Sequence, residues 1–320
     1  MNKKLTAAAL LTVMALSAGS ALAAKPLEKF AVTYVKAPLN VPSIVERTRR
    51  VFEKHFFGLP IEYSELTAGP EQTQALAAGD IHILNAVGAT SVFLAAANGA
   101  DIKILCMYSR SPEAFKLIGA KGSKIAKPQD LRGKTVAGPK GTILHELLVA
   151  WLAKGGMTEK DVNFVHMGIP GAQAALAAGE VQAALLAGPV AYTMEKGGFK
   201  VITSGKGLVN AAIVVASSGK FIMEHNEIIN AFMNAQAEVL ERIALSKEEM
   251  VKDVVEATGL TEDAVEAMYP LYDFSMDITE EDVEGMKKTV QFMVDNKMID
   301  APVNVEELIY NRKYRGLKLN

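Results

Sequence analysis

The sequence predicts an α/β protein made of two doubly wound lobes joined by two crossover hinge segments, with a helical C-terminal extension packed on lobe 1. The first observation is that short β-branched runs alternate with helical patterns through two-thirds of the chain, as in βαβ units with mostly parallel sheets. The second is a repeat: QALAAGDIHILNAVGAT starts at Gln74, and AALAAGEVQAALLAGPV starts at Ala174. We interpret it as helix, glycine turn, buried strand and second helix, present once in each lobe.

The first 23 residues have the pattern of a secretory signal peptide. Lys3 and Lys4 precede an apolar run that ends in Ala21-Leu22-Ala23, a small-x-small cleavage site. The alternative, a transmembrane anchor, is disfavoured because the run is short and ends in small residues. We therefore predict that residues 1–23 are removed and that the mature chain is exported.

The composition indicates a globular protein without nucleic-acid partners. Removing residues 1–23 leaves 32 basic and 36 acidic residues, a net charge of -4, and there is no basic run. Half of the residues are hydrophobic, and the length fits about two domains. The single cysteine, Cys106, can form no internal disulfide, so the core must stabilise the fold.

The first lobe shows strand and helix patterns in alternation. β-branched and aromatic residues mark the strands, and Gly79 and Gly99 stand at post-helix positions. The predicted strands are 29–35, 61–66, 81–87 and 102–109, and the predicted helices are 41–56, 70–79 and 89–99.

The pattern then restarts for the second lobe. The predicted strands are 114–120, 134–138, 162–167, 181–188 and 200–204. The predicted helices are 142–156, 171–179 and 189–198, with a turn or short helix at 127–133.

Beyond about residue 210 the pattern becomes one strand-like run, 211–218, followed by helices. Ser246 with Glu249 and Thr279 with Asp282 have capping-box spacing, and Thr261 and Asn304 fit lone N-caps. Helices without strands of their own must bury their apolar faces elsewhere, so we expect them to pack back on the first lobe. Lobe 1 is then discontinuous, at residues 24–110 and 217–320, with lobe 2 at 111–216.

The loop AGPKGT, residues 137–142, joins a predicted buried strand to an amphipathic helix. Gly141 and Thr142 stand at the helix start, where N–H groups and the helix dipole attract an anion, and Lys140 adds a positive charge. His145, in the first turn, is a candidate to face the same ligand. The alternative is a tight turn with a threonine cap. We favour binding, because open α/β sheets hold ligands at the carboxyl ends of their strands.

Three other loop regions are candidate walls of a cleft. VKAPLNVP offers Lys36 and Asn40. NAVGAT offers a helix start with Thr90, faced by AGPVA from the other lobe. SRSPEA fits a stiff crossover hinge that can touch a ligand through its serines or Arg110. The alternative for each loop is a rigid connection.

No motif for catalysis, metal binding or cofactor binding is complete. GKT at 133–135 has Pro128 where a phosphate loop needs glycine, and HELLV at 145–149 lacks a second histidine one turn on. GxSxG does not occur, and the five histidines form no ligand spacing. We therefore predict a protein that is not an enzyme, with no metal and no cofactor.

Several stretches carry a family resemblance through their order and spacing. They are the N-terminal leader, YVKAPLNVPSIVE, GPEQTQALAAGDIHILNAVGAT, SRSPEAFKLIGAKGSKIAKPQDLRGKTVAGPKGT, QAALLAGP and HNEIINAF. Together they resemble periplasmic substrate-binding proteins of ABC importers, in the class that handles nitrate, taurine and aliphatic sulfonates. The likeness runs from about Phe30 to Tyr310. It implies the type II periplasmic binding fold, in which two lobes close on a ligand.

The resemblance also implies ligand contacts in loops of both lobes. These are Lys36, Ala37, Gly88, Ala89, Thr90, Ser109, Ser111, Gly141, Thr142, Gly188 and Pro189, and the loop AGPKGT adds Lys140 and His145 as candidates. Two departures leave the ligand open. Pro139 and Lys140 occupy the anion loop where many relatives carry other residues, and Gln182 stands where an aspartate tends to sit.

The implied function is capture of a small, anionic, sulfonate-, taurine- or nitrate-like ligand in the periplasm. The resemblance implies a monomer that delivers this ligand to ABC permease subunits in the inner membrane. A binding protein that senses its ligand and docks on a membrane receptor is an alternative that the sequence does not separate from transport. An enzyme on this scaffold, related to fungal thiamine-pyrimidine synthases, is disfavoured because their cysteine-rich site requires more than Cys106.

Overall fold

The computed structural model describes residues 27–36 and 39–310. The predicted signal peptide, residues 1–23, lies outside the described residues. Within them the chain forms two five-stranded sheets flanked by helices, followed by a helical C-terminal extension. This confirms the predicted fold class.

Each lobe is built on one sheet. The strands of lobe 1 are β1 (Phe30–Thr33), β2 (Ile61–Ser64), β3 (Ile83–Gly88), β4 (Lys103–Arg110) and β10 (Ala212–Ser217), in the order β2-β1-β3-β10-β4. The strands of lobe 2 are β5 (Phe115–Gly119), β6 (Thr135–Gly138), β7 (Asn163–His166), β8 (Ala183–Ala187) and β9 (Lys200–Ser204), in the order β7-β6-β8-β5-β9.

One strand of each sheet runs against the other four. β10 pairs antiparallel with β3 and β4, and β5 pairs antiparallel with β8 and β9. Each of these two strands is the first that the chain forms after it crosses between the lobes. The remaining pairs, β1 with β2 and β3 and β6 with β7 and β8, are parallel, as the alternating pattern predicts.

The chain crosses from lobe 1 to lobe 2 at residues 111–114 and returns at 205–211. The predicted end of lobe 2 at residue 216 is wrong, because β10 lies in the lobe 1 sheet between β3 and β4. An apolar strand carries no local signal for which sheet it joins. Its place is set by pairing with strands that are more than 100 residues away in sequence.

Helices follow the strands of both sheets. They are α1 (Val41–Arg49), α2 (Val51–His55), α3 (Gly69–Ala78) and α4 (Ala89–Ala97) in lobe 1, and α5 (Ile143–Lys154), α6 (Ile169–Ala178) and α7 (Gly188–Lys196) in lobe 2. The single helix predicted over 41–56 is divided, because Arg50 adopts a left-handed conformation with φ of 53°.

The repeated sequence has the same local structure in both lobes. Gly79 and Gly179 end α3 and α6 in the left-handed conformation, with φ of 81° and 76°. Glycine suits this position because it has no Cβ atom. Gly88 and Gly188 stand at the start of α4 and α7. These matches support one structural unit per lobe.

The C-terminal extension consists of α8 (Gly219–Glu224), α9 (Asn226–Leu245), α10 (Lys247–Thr258), α11 (Glu262–Met268), α12 (Glu280–Asp295) and α13 (Val305–Leu308). α9 and α10 pack on α1, and α12 packs on α4, so the extension covers lobe 1 as predicted. α11 also packs on α7 of lobe 2. The predicted N-caps are confirmed, since Ser246, Thr261, Thr279 and Asn304 each accept a hydrogen bond from a first-turn N–H.

Candidate functional site

A cavity of about 160 Å³ lies between the two lobes. Lobe 1 lines it with Val35, Asn40, Thr67, Ala68, Gly69, Gln72, Ala86, Gly88, Ser91 and Ile213. Lobe 2 lines it with Phe115, Pro139, Thr142, Ile143, Leu144, Gly168, Ile169, Pro170, Ala187 and Val190. Because each lobe supplies one wall, a molecule in this cavity would touch both.

Five helices begin at the wall of this cavity. The first residues of α3, α4, α5, α6 and α7, or the residues just before them, line it. No side chain forms a capping hydrogen bond at any of these five N-termini. First-turn N–H groups and the positive ends of helix dipoles attract an anion. The arrangement can therefore bind a negative group through the backbone of both lobes.

The described residues that line the cavity include no Lys, Arg, His, Asp or Glu. Two of its hydroxyls already donate within the protein. Ser91 Oγ donates to the carbonyl of Gly141 over 2.9 Å, and Thr142 Oγ1 donates to the carbonyl of Pro139 over 2.9 Å. The other walls are largely apolar, so the backbone dipoles act in surroundings that screen them weakly.

Ala86 borders the cavity in a rare backbone conformation. Its φ is 78°, at the point where the pairing of β3 with β10 shifts register. Non-glycine residues seldom adopt positive φ, and such residues cluster at functional sites. The bulge lies two residues before Gly88, which also lines the cavity.

The predicted anion loop is divided between two cavities. Thr142 lines the interlobe cavity, whereas Lys140, Gly141 and His145 line a second cavity of about 470 Å³, to which Leu94 of lobe 1 and residues 295–298 of the extension also contribute. The Gly141 N–H donates to His145 Nδ1 over 3.3 Å, and Lys140 lies 3.5 Å from Glu159. These contacts turn the side chains of Lys140 and His145 toward Glu159.

His145 is held on three sides. Its Nε2 is hydrogen-bonded to Glu159, and its ring stacks on Phe164 at 5.1 Å between centroids. Burial lowers the pKa of His145, against the opposing effect of Glu159. His145 lies in the first turn of α5, as the sequence predicts, but the direction of its side chain depends on Phe164 of β7, which is distant in the sequence.

The other predicted contacts lie near the cavity without lining it. Lys36 lies 3.8 Å from Glu65. Ser109 and Ser111 are buried at the crossover, and their hydroxyls have no hydrogen-bond partner among the described residues. The remaining ones are Ala89, Thr90, Gly188 and Pro189, next to lining residues, and Ala37, outside the described residues. Of all the predicted contacts, Asn40, Gly88 and Thr142 line the cavity.

Thr90 instead joins the two lobes. Its hydroxyl donates to Glu146 Oε2 of α5 over 2.5 Å, and Thr289 of α12 donates to Glu146 Oε1 over 3.1 Å. Burial raises the pKa of Glu146 to about 7, although both hydrogen bonds oppose this effect. Sequence reasoning missed Glu146. The available signal was a lone acid within the apolar helix ILHELLVAWLAK.

The loop before α3 and the loop before α6 were also missed. Gly69 with Pro70 and Gly168 with Pro170 carry the same signal, a glycine and a proline at a helix start after a strand. Applied to every strand–helix junction, this rule finds these walls of the cavity.

Metal binding, cysteine chemistry and membrane spanning can each be checked in the part of the chain that the structure describes. Those residues contain no group of three or more His, Cys, Asp or Glu placed to hold a metal ion. Cys106 is fully buried in β4 and does not line the interlobe cavity, and burial raises its pKa. Among the described residues, none of the helices has the length and apolar character needed to cross a bilayer.

Two α/β lobes, two crossings and a cavity between the lobes define the class of periplasmic binding proteins by fold. The alkanesulfonate-binding protein SsuA from Xanthomonas axonopodis pv. citri, bound to MOPS, matches with a TM-score of 0.81 and 22% identity, over 88% of this chain and 98% of that chain. The desulfurization enzyme DszB matches with a TM-score of 0.68 and 14% identity, over 90% and 97%. The fold is therefore shared by binding proteins and an enzyme.

The chain belongs to the NMT1/THI5 like family, whose model matches residues 52–249. A putative aliphatic sulfonates-binding protein of Escherichia coli is 23% identical over 96% of this chain and 95% of its own length. The taurine-binding periplasmic protein of the same organism is 28% identical over 60% of this chain and 59% of its own length. These relatives are named for binding, which agrees with the family resemblance noted in the sequence.

Proposed function

We propose that this protein is the periplasmic solute-binding component of an ABC importer and captures a small organic sulfonate between its lobes. The observation that carries the proposal is the meeting of five uncapped helix N-termini at a cavity without charged side chains among the described residues. Such a site attracts an anion that stays ionised and whose several oxygens can accept N–H groups from different directions.

A sulfonate fits this site better than a neutral or cationic ligand. Its three oxygens can accept hydrogen bonds from helices of both lobes at once, so binding favours the closed arrangement. Val35, Phe115 and Ile213 supply apolar walls for a short carbon chain. The relatives named for aliphatic sulfonates and taurine support the same ligand class.

The proposed partners follow from the importer role. A monomer would close on its ligand and present both lobes to permease subunits in the inner membrane. The candidate contacts with the ligand are the backbone N–H groups that start α3 to α7, including those near Gly88 and Thr142. Enzymatic turnover is not part of the proposal, because the described residues that line the cavity include no Cys, His, Asp, Glu or Lys to act as an activated nucleophile or an acid–base pair.

The test is a comparison of two ligands that differ in charge. Titration calorimetry on the chain without residues 1–23 would measure propane-1-sulfonate against the neutral propane-1-sulfonamide. We expect the sulfonate to bind and the sulfonamide to bind at least about 100-fold more weakly, since one charge–dipole interaction in a weakly screened site is worth several kcal/mol. Equal affinity for both would contradict backbone capture of an anion, and binding of neither would remove the proposed ligand class.

A further inference from the structure

Gln72 is one of the residues that line the interlobe cavity, and its side-chain amide is only half satisfied. Its Nε2 donates to the carbonyl of Leu66 over 3.1 Å, which fixes the orientation of the amide. Its Oε1 is buried and accepts no hydrogen bond from the described residues. The residue is 2% exposed, so bulk solvent does not satisfy this oxygen.

The hydroxyl groups of Ser91 and Thr142 do not supply the missing donor. Ser91 and Thr142 already donate their protons to the carbonyls of Gly141 and Pro139. A buried amide oxygen without a donor is costly, and most such groups in proteins have a partner. The unpaired oxygen therefore favours a ligand that brings a donor of its own.

The position of Gln72 relates this acceptor to the anion site. Gln72 follows Gly69 by three residues on α3, so the two residues share a face of the helix, and both line the cavity. The amide of Gln72 is held near the start of α3, because its Nε2 donates to the carbonyl of Leu66, three residues before Gly69. A ligand whose donor and sulfonate are separated by two carbon atoms is short enough to reach both the amide and the first-turn N–H groups.

We propose that Gln72 selects sulfonates that carry an N–H or O–H donor near the charged group, through a hydrogen bond accepted by its Oε1. The inference rests on the proposed function, because it places the sulfonate at the helix N-termini. It narrows the ligand class from alkanesulfonates in general to short hydroxy- or aminoalkanesulfonates.

The test uses isethionate and propane-1-sulfonate, which have the same size and charge but carry a hydroxyl and a methyl group at the far end. Calorimetry on the wild-type mature chain should show isethionate binding about tenfold more tightly, the effect of one buried hydrogen bond. In Gln72→Leu the ratio should fall to one or invert. Gln72→Met serves as a second variant, in case leucine disturbs the fold.

The matched control is Gln74→Leu, the same change at an exposed position of the same helix. It should keep the wild-type ratio of affinities. Equal wild-type affinities for the two ligands, or an unchanged ratio in Gln72→Leu, would overturn the role of Gln72 and leave the sulfonate site intact. Failure of the wild type to bind either ligand would instead overturn the proposed function, and this inference with it.

Discussion

Thr90 of lobe 1 and Glu146 of lobe 2 meet across the interlobe boundary at 2.5 Å. Thr289 of the extension holds the second carboxylate oxygen over 3.1 Å. Glu146 is 3% exposed and forms no ion pair with any described residue. In the proposed closure this contact forms only when the lobes come together, so the ionisation of Glu146 would be coupled to closure.

The first prediction is that ligand affinity falls as the pH rises from 5 to 8. In the closed form burial raises the pKa of Glu146 to about 7, whereas in an open form water returns it to the ordinary carboxyl value near 4.5. Because the pKa of Glu146 is higher in the closed form, its protonated carboxyl favours closure fully below pH 4.5. This contribution is lost as the pH rises through 7. The equilibrium constant for closure should fall by up to about tenfold per pH unit in this interval.

Calorimetry with propane-1-sulfonate, which stays ionised throughout, measures this dependence. In Glu146→Gln the affinity should become nearly independent of pH, because the amide does not titrate. Glu180→Gln is the matched control at an exposed position. A pH slope that survives in Glu146→Gln would refute the coupling.

The second prediction concerns charge at the start of α5. Thr142→Asp should weaken sulfonate binding about 100-fold, because two like charges about 5 Å apart repel each other by about 3 kcal/mol at an effective dielectric of 20. The same change should stabilise the helix slightly, since aspartate is a favourable N-cap residue. Affinity and thermal unfolding measured together would therefore move in opposite directions.

Thr142→Asn is the neutral counterpart of this variant. It has nearly the shape of aspartate and the same capping ability, so its affinity should stay within a fewfold of wild type. Equal binding by both variants would place the sulfonate away from α5.

The third prediction concerns the first crossing. Arg110, the last residue of β4, binds Asp282 of α12 through Nε at 2.6 Å and Nη2 at 2.5 Å, and its guanidinium also donates to the carbonyl of Asp277. Arg110→Met should lower the free energy of unfolding by about 3 kcal/mol, because it leaves a largely buried carboxylate without its partner. Chemical denaturation measures this loss.

Lys206→Met is the comparison at the second crossing. The ion pair of Lys206 with Glu113 is exposed, so its loss should change stability by less than about 1 kcal/mol. Burial raises the pKa of Asp282, but the hydrogen bonds from Arg110 and Thr279 hold it below its ordinary value. The Arg110 contribution should therefore persist above pH 4 and disappear as the pH falls further. Equal losses of unfolding free energy in Arg110→Met and Lys206→Met would show that the Arg110–Asp282 pair stabilises the protein no more than an exposed ion pair does.

Features that depend on neighbouring residues were predictable from the sequence. Gly79 and Gly179 end helices because their left-handed conformation is a local requirement, and Thr279 caps α12 through a residue three positions away. The order of strands and helices, and the helix starts near Gly88 and Thr142 that border the cavity, followed from the same local rules.

Features that depend on distant partners were not predictable. β10 resembles any buried strand, and only its pairing with β3 and β4 assigns it to lobe 1. Lys140 and His145 were expected to face the ligand, but both contact Glu159 and line the second cavity instead of the interlobe cavity. Thr90 was expected to contact the ligand, whereas its hydroxyl donates to Glu146, which lies 56 positions further along the chain.

A cavity whose attraction for its ligand comes from main-chain amides has a consequence for how such proteins diversify. Point mutations replace side chains and leave peptide groups in place, so capture of the head group resists most single changes. The walls at Val35, Phe115 and Ile213, and the amide of Gln72, are free to vary around it. In the proposed site, a change at these walls would alter which carbon chain fits, while the N–H groups that bind the anion stay in place.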